Sequence, residues 1–214
     1  ETSFDITFGQ NSLNKNQLKK YRFYAHKANE KFNQVHDLNP RFKTRLGEIN
    51  TKLSNEYVTS YIDLLQYQNE KEARKELKKG LYDPFMINMA KNYLNSCDKN
   101  AILFTNGDND THPLLYVQEI YGFRKDVRVI NLTYLNTERY IDLMKRPYLT
   151  SMPIPSSLEK NDYKTGTRDY TPIYENLKYV KLQYAMDFIT SNNPISKLNT
   201  TSGKINYCPT KKLK

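Results

Sequence analysis

Near residue 100 the apolar spacing changes from the three-and-four repeat of helices to short continuous runs, and few folds accommodate both in that order. "AILFT" (101–105) and "DVRVINL" (126–132) are short apolar runs bounded by polar turn residues, the pattern of buried strands. Between them "PLLYVQEIYG" has helical spacing and ends on Gly122, and "NTERYIDLMKR" follows with Asn136 as its expected N-cap. Strand, helix, strand, helix over so short a length is a βαβα unit, which implies parallel strands and a right-handed crossover. The expected fold is therefore α/β: a helical N-terminal region followed by a Rossmann-like βαβα unit with a parallel sheet.

Before the switch the period is helical. Tyr21, Tyr24, Ala25, Ala28, Phe32 and Val35 fall on one face, and the run stops at "DLNP", where Pro40 cannot continue a helix. Leu46, Ile49, Leu53, Tyr57, Tyr61, Leu64 and Leu65 form a second stripe that passes into "NEKEARKELKKG", whose lysines and Gly80 suit a helix C-terminus. Asp83 and Pro84 then predict a cap and first turn, with Met86, Met89, Ala90, Tyr93, Leu94 and Cys97 as the inner stripe. Ala28, Phe32, Val35, Leu38 and Pro40 have the spacing of the second helix of a tetratricopeptide unit, but the pattern does not recur 34 residues later. A plain helical hairpin is the preferred reading, with one degenerate unit as the alternative. Two domains are expected, a helical region over 1–84 and an α/β domain over 85–214.

Composition narrows the function classes. The formal charge of +10 raises nucleic acid as a partner, yet the excess is divided evenly between residues 1–100 and 101–214. Only "KNQLKKYR" and "PTKKLK" are local basic clusters, so the charge reads as a solvated surface and nucleic acid is not expected. No run of 18 apolar residues occurs, so no membrane span is expected in this segment. The first residues, "ETSFDITFGQ", carry neither a Met nor a signal peptide, as expected of a trimmed chain. Cys97 and Cys208 are too few for a disulfide scaffold and have no metal spacing; one bridge or two reduced thiols are both open.

The chemistry-bearing stretch is "NGDNDTH", Asn106 to His112, expected just beyond the end of the first strand, where open α/β sheets bind ligands. Gly107 permits a tight turn, and Asp108 and Asp110 can offer oxygen ligands to Mg²⁺ or Mn²⁺, with Asn106 or Asn109 adding a carbonyl. A turn with an N-cap ahead of Pro113 explains one carboxylate or hydroxyl, through Asp or Thr111, but not two carboxylates and two amides. His112 is a candidate ligand or base, and a packed ring is the plainer alternative. In the polar stretch 147–172, Arg168 beside Asp169 and Tyr170 is placed to fold over the strand ends. Asn131 and Asn199 match the glycosylation pattern, but Asn131 falls on an expected buried strand.

The block "NYLNSCDKNAILFTNGDNDTHPLLYVQEIYGFRKDVRVINLTYLNTERYIDLMKR", with the later "GTRDYTPIY" and "INYCPTKKLK", closely resembles the soluble C-terminal region of a bacterial membrane family similar to protein O-mannosyltransferases. The resemblance covers about residues 85–214 and implies an extracytoplasmic location. It departs at His112, where the family pattern has an aromatic residue, and at Leu114-Leu115, where a Trp is common. Family members run on beyond "PTKKLK", which implies a domain that continues past Lys214. The expected function is that of an accessory domain binding a glycan, peptide or protein partner at the strand ends, with Asn106–His112 and Arg168 at the site. One alternative is a metal-dependent glycosyltransferase-like or hydrolase domain using Asp108 and Asp110, and the other is a helical protein-interaction scaffold over residues 18–97.

Overall fold

Asn14 starts the first helix. Its side chain accepts from the main-chain N–H groups of Asn16 (2.9 Å) and Gln17 (3.0 Å), and Gln17 Oε1 accepts in return from Asn14 N–H (3.0 Å). The computed structural model describes residues 10–45, 47–164, 171–173, 178–201 and 203–214. They form two compact units, Glu1–Ser156 and Ser157–Lys214.

In the first unit, α1 (Lys15–Leu38) ends at Asn39, held extended by the following Pro40. A two-residue ladder, β1 (Lys43–Thr44) with β2 (Gly47–Glu48), leads into α2 (Ile49–Gln66). The expected inner stripe of α1 is partly corrected: Tyr21, Ala25, Phe32 and Val35 are half-buried, whereas Tyr24 and Ala28 are exposed. The one buried residue of α1 is Asn29. In α2, Ile49, Tyr61, Leu64 and Leu65 are buried as expected; Leu46 lies outside the described residues.

The helical run through "NEKEARKELKKG" is a second correction. Gln68 takes a left-handed φ of 54°, α3 (Glu70–Ala73) follows, and a 3₁₀ turn covers Arg74–Glu76. A continued α2 would run past the core; the break lets Ala73, Glu76 and Leu77 be buried. Helix α4 (Pro84–Asn95) begins as predicted, with Asp83 accepting from Met86 N–H at 2.9 Å. Its buried residues are Ile87, Ala90 and Leu94, while Tyr93 is exposed.

Strands β3 (Ile102–Thr105) and β4 (Arg128–Asn131) pair in parallel, Ile102 opposite Arg128 and Thr105 opposite Asn131. They are joined through α5 (Asp108–Tyr121), which ends on Gly122 in the left-handed conformation, and followed by α6 (Glu138–Met144). The mixed helix-and-strand class is as expected, and the sheet has two strands among the described residues. β4 is buried throughout, but β3 is not the buried strand its sequence suggested. Ile102 and Phe104 stand on an open face, because strand side chains alternate and only one side of β3 is covered. Asn136 lies in a 3₁₀ turn (Tyr134–Asn136), and Thr137 takes the cap position it was expected to fill.

One buried cluster runs through the first unit on both sides of residue 84. Val58, Tyr61, Leu64 and Leu65 of α2 belong to the same buried cluster as Leu94, Leu114, Val117, Val129, Ile130 and Leu143. Burial of each such large side chain stabilises by ~1.5–3 kcal/mol, so the helices and the strand unit are held as one body.

The second unit contains α7 (Lys160–Tyr163), α8 (Leu182–Thr190) and an antiparallel hairpin, β5 (Lys197–Thr200) with β6 (Gly203–Asn206). Of the expected inward residues of α8, Ala185 is buried, whereas Leu182 and Met186 are about half exposed. Cys97 and Cys208 are free thiols. Among the described residues no helix is long and apolar enough to cross a membrane.

Candidate functional site

Helix α5 begins earlier than its sequence suggested. Gly107, at φ 89°, is the N-cap position and supplies no side-chain cap, and Asp108 is already helical. Asp108, Asn109, Asp110 and Thr111 therefore form the first turn, and Pro113 lies inside the helix. The positive φ at Gly107 turns the chain from β3 into α5 within two residues, a conformation that glycine adopts without strain.

This placement separates the motif's side chains, because residues two apart on a helix point about 200° from each other. Asp108 and His112, four apart, share a face; Asp110 is exposed on another. Tyr134 Oη donates to Asp108 Oδ1 at 2.9 Å, and His112 Nε2 lies 3.1 Å from Tyr134 Oη and 3.6 Å from Asp108 Oδ1. The other ring nitrogen, Nδ1, is buried and has no hydrogen-bond partner of good geometry. Burial pushes the His112 pKa down from 6.5 to about 4, with the Asp108 carboxylate and the Asn55 main chain opposing the shift. Burial, and then the same carboxylate, holds the Tyr134 hydroxyl well above the ordinary phenol range.

The remaining motif residues are tied inward. Thr111, fully buried, has its hydroxyl 2.7 Å from Thr105 Oγ1 and 2.7 Å from the Gly107 carbonyl, and accepts from Asn131 Nδ2 at 2.9 Å. Asn131 Oδ1 in turn accepts from Thr133 N–H (2.8 Å) and Tyr134 N–H (3.2 Å), which fixes the turn after β4. Asn109 Oδ1 accepts from Asn55 Nδ2 at 2.7 Å, and Asn55 Oδ1 accepts from Tyr82 Oη at 2.7 Å, so the motif is bonded to α2. Asn106 is exposed, with Thr133 Oγ1 3.4 Å from its Oδ1. Arg168 lies outside the described residues.

Sequence reasoning missed Asn55, Tyr82, Thr105, Asn131 and Tyr134. Thr105 ends the strand just before the motif, whereas Asn55, Tyr82 and the turn carrying Asn131 and Tyr134 are brought to Asp108–His112 by the fold. Among the described residues no group of three or more His, Cys, Asp or Glu side chains converges as a metal site would require.

A cleft of about 630 Å³ lies in the helical part of the first unit. Its α1 wall carries Arg22, His26, Asn29 and Asn33, and Tyr57 of α2 and Lys78 face them. Asn29 is 3% exposed and its Oδ1 has no hydrogen-bond partner.

Fold and motif together define a mixed α/β domain whose strand-to-helix junction is closed by buried polar side chains. Residues 86–214 match the family model described as TMEM260-associated domain 2, and the chain belongs to that family. TMEM260 is an O-mannosyltransferase-like membrane protein, in keeping with the resemblance drawn from the sequence. The match begins in α4 and leaves α1, α2 and α3 outside it. No curated protein and no solved structure matches the chain.

Proposed function

We propose that this chain is an extracytoplasmic accessory domain that holds a glycan, peptide or protein partner for an O-mannosyltransferase-like membrane protein and does not itself carry out transfer. The observation that supports this reading is the inward commitment of the motif. Asp108 is engaged by Tyr134, Asn109 by Asn55, and Thr111 by Thr105 and Asn131. In this reading "NGDNDTH" fastens a Rossmann-like βαβα unit to α2, and the ligand-facing surface is the cleft of the helical region. The extracytoplasmic placement rests on the family resemblance.

The competing metal-dependent transferase or hydrolase needs Asp108 and Asp110 to reach one cation. Two positions apart in the first turn of α5, they point to different sides. The test is a thermal-shift titration with Mg²⁺ and Mn²⁺, with and without nucleotide sugars, on the parent and on Asp108→Ala/Asp110→Ala. Melting temperatures independent of the ions, with the double variant less stable under every condition, are expected. An ion at 100 times its dissociation constant adds about 2.7 kcal/mol to the folded state, so an ion-dependent rise lost in the variant would be seen and would overturn the accessory reading.

A further inference from the structure

The outward side of α1 is basic along most of its length. Lys19, Phe23, Lys27 and Lys31 follow one another at spacings of four, and all four are exposed. Residues so spaced lie along one side of a helix, here over about 18 Å. Lys15 and Lys20 are exposed near the start of this line, and no Asp or Glu occurs between Lys15 and Asn29. The local basic cluster "KNQLKKYR" is therefore the N-terminal part of a longer basic side. Glu30, the first acid of the helix, lines the cleft and accepts from Gln34 Nε2 at 3.3 Å.

Nothing in the packing of α1 calls for this arrangement. Lys15 holds the first helical position with no acid in the first turn, against the helix dipole. Lys15 and Lys19, and again Lys27 and Lys31, are like charges four apart, which weakens a helix. No carboxylate relieves either pair: among the described residues none lies within 4.0 Å of Lys15, Lys19, Lys27 or Lys31. Phe23, in the middle of the line, is 60% exposed. Its ring meets Tyr24 edge-on at 5.2 Å, and the Lys27 ammonium stands 5.7 Å from its centre.

The complement of such a line is a surface dense in negative charge with an apolar layer just beneath it. A protein partner fits poorly, since two aromatic side chains bury about 150–250 Å² each, far short of the ~1,000 Å² that a specific interface takes. An anionic bilayer needs no such area, because each lysine near its surface is held by the field of the headgroups and one ring among them adds to the hold.

We infer that this side of α1 docks on an anionic phospholipid bilayer, its lysines meeting headgroup phosphates and Phe23 entering the headgroup layer. The inference goes beyond the accessory-domain reading and stands or falls apart from it.

The test uses the whole 214-residue chain and co-sedimentation with vesicles of phosphatidylcholine, alone or with about one-third phosphatidylglycerol. The anionic vesicles should bind at least about tenfold tighter than the neutral ones, and the difference should vanish as salt rises from about 0.1 M to 1 M. Lys19→Gln/Lys27→Gln, two exposed changes, should weaken binding by roughly thirtyfold with the melting temperature held. The chain has no Trp, so Phe23→Trp supplies a single reporter whose emission should shift to the blue on anionic vesicles. Phe85→Trp, 75% exposed in the first turn of α4, should show no shift. Equal binding to both vesicle types, a double variant that binds as tightly as the parent, or no shift in Phe23→Trp would each overturn the inference. Tighter binding to a labelled single-stranded RNA than to the vesicles, lost in the same double variant, would overturn it in favour of a nucleic-acid surface.

Discussion

Acidification from pH 7 to pH 5 should destabilise the first unit through His112, by an amount set by its burial. The ring is fully buried, and its pKa falls from 6.5 to about 4. Between those values the unfolded chain binds a proton that the folded chain refuses, so stability drops as pH drops. At pH 5 the unfolded state gains roughly thirtyfold from that proton, a loss of ~2 kcal/mol relative to pH 7. Asp63 acts in the opposite direction. Burial raises its pKa from 3.8 to about 6, although Tyr21 Oη donates to it at 2.9 Å, and in that range the folded chain holds the extra proton. Asp63 keeps some contact with water, so its gain on acidification is held to ~1 kcal/mol. Urea unfolding at the two pH values should therefore give a net loss of ~1 kcal/mol for the parent and ~2 kcal/mol for Asp63→Asn. His112→Gln should lose nothing, or gain, on acidification. If His112→Gln kept the loss, the assignment of a neutral buried imidazole would be refuted; if Asp63→Asn lost no more than the parent, the raised Asp63 carboxyl would be.

Thr111→Val removes a hydroxyl that serves both Thr105 and Asn131; the expected cost is ~2–3 kcal/mol, seen as a fall of roughly 4–10 °C in calorimetric Tm, and an unchanged Tm would contradict the network. Arg124 donates to the carbonyls of Leu94 (2.8 Å), Cys97 (3.0 Å) and Asp98 (2.9 Å) and pairs with Asp126. A lysine cannot reproduce that fork, so Arg124→Lys should lower the urea unfolding midpoint, and an unchanged midpoint would count against it. Gly107→Ala meets no atom within 4 Å, yet must hold φ 89° and ψ 174°, a region essentially confined to glycine; the penalty of ~1–3 kcal/mol is backbone strain alone, and an unchanged thermal melt would contradict it.

Much of the chain's order was legible locally. The cap at Asp83, the break at Pro40, the stop at Gly122 and the parallel pairing of 102–105 with 128–131 all follow from short patterns. Errors came where packing overrode them. "NEKEARKELKKG" has the composition of a helix, but burying Ala73 and Leu77 requires a break at Gln68. "AILFT" has the composition of a buried strand, but half of it faces outward. At the candidate site a helix starting at Asp108 turns two adjacent-looking carboxylates apart, a separation that spacing in the sequence does not display.

By itself the sequence determined the elements, their order and the polar character of the junction after β3, since caps, periods and glycine turns act over four or five residues. Only the tertiary structure decided where those polar groups go. Asn55 reaches Asn109 across 54 residues and Tyr134 reaches Asp108 across 26, and no local pattern encodes such pairs. The same holds for Asn29, which in the sequence is one more polar residue on a charged helix. Its burial beside an open cleft is set by how α2 and the chain after it fold back against α1, and burial is what makes an unmatched amide costly.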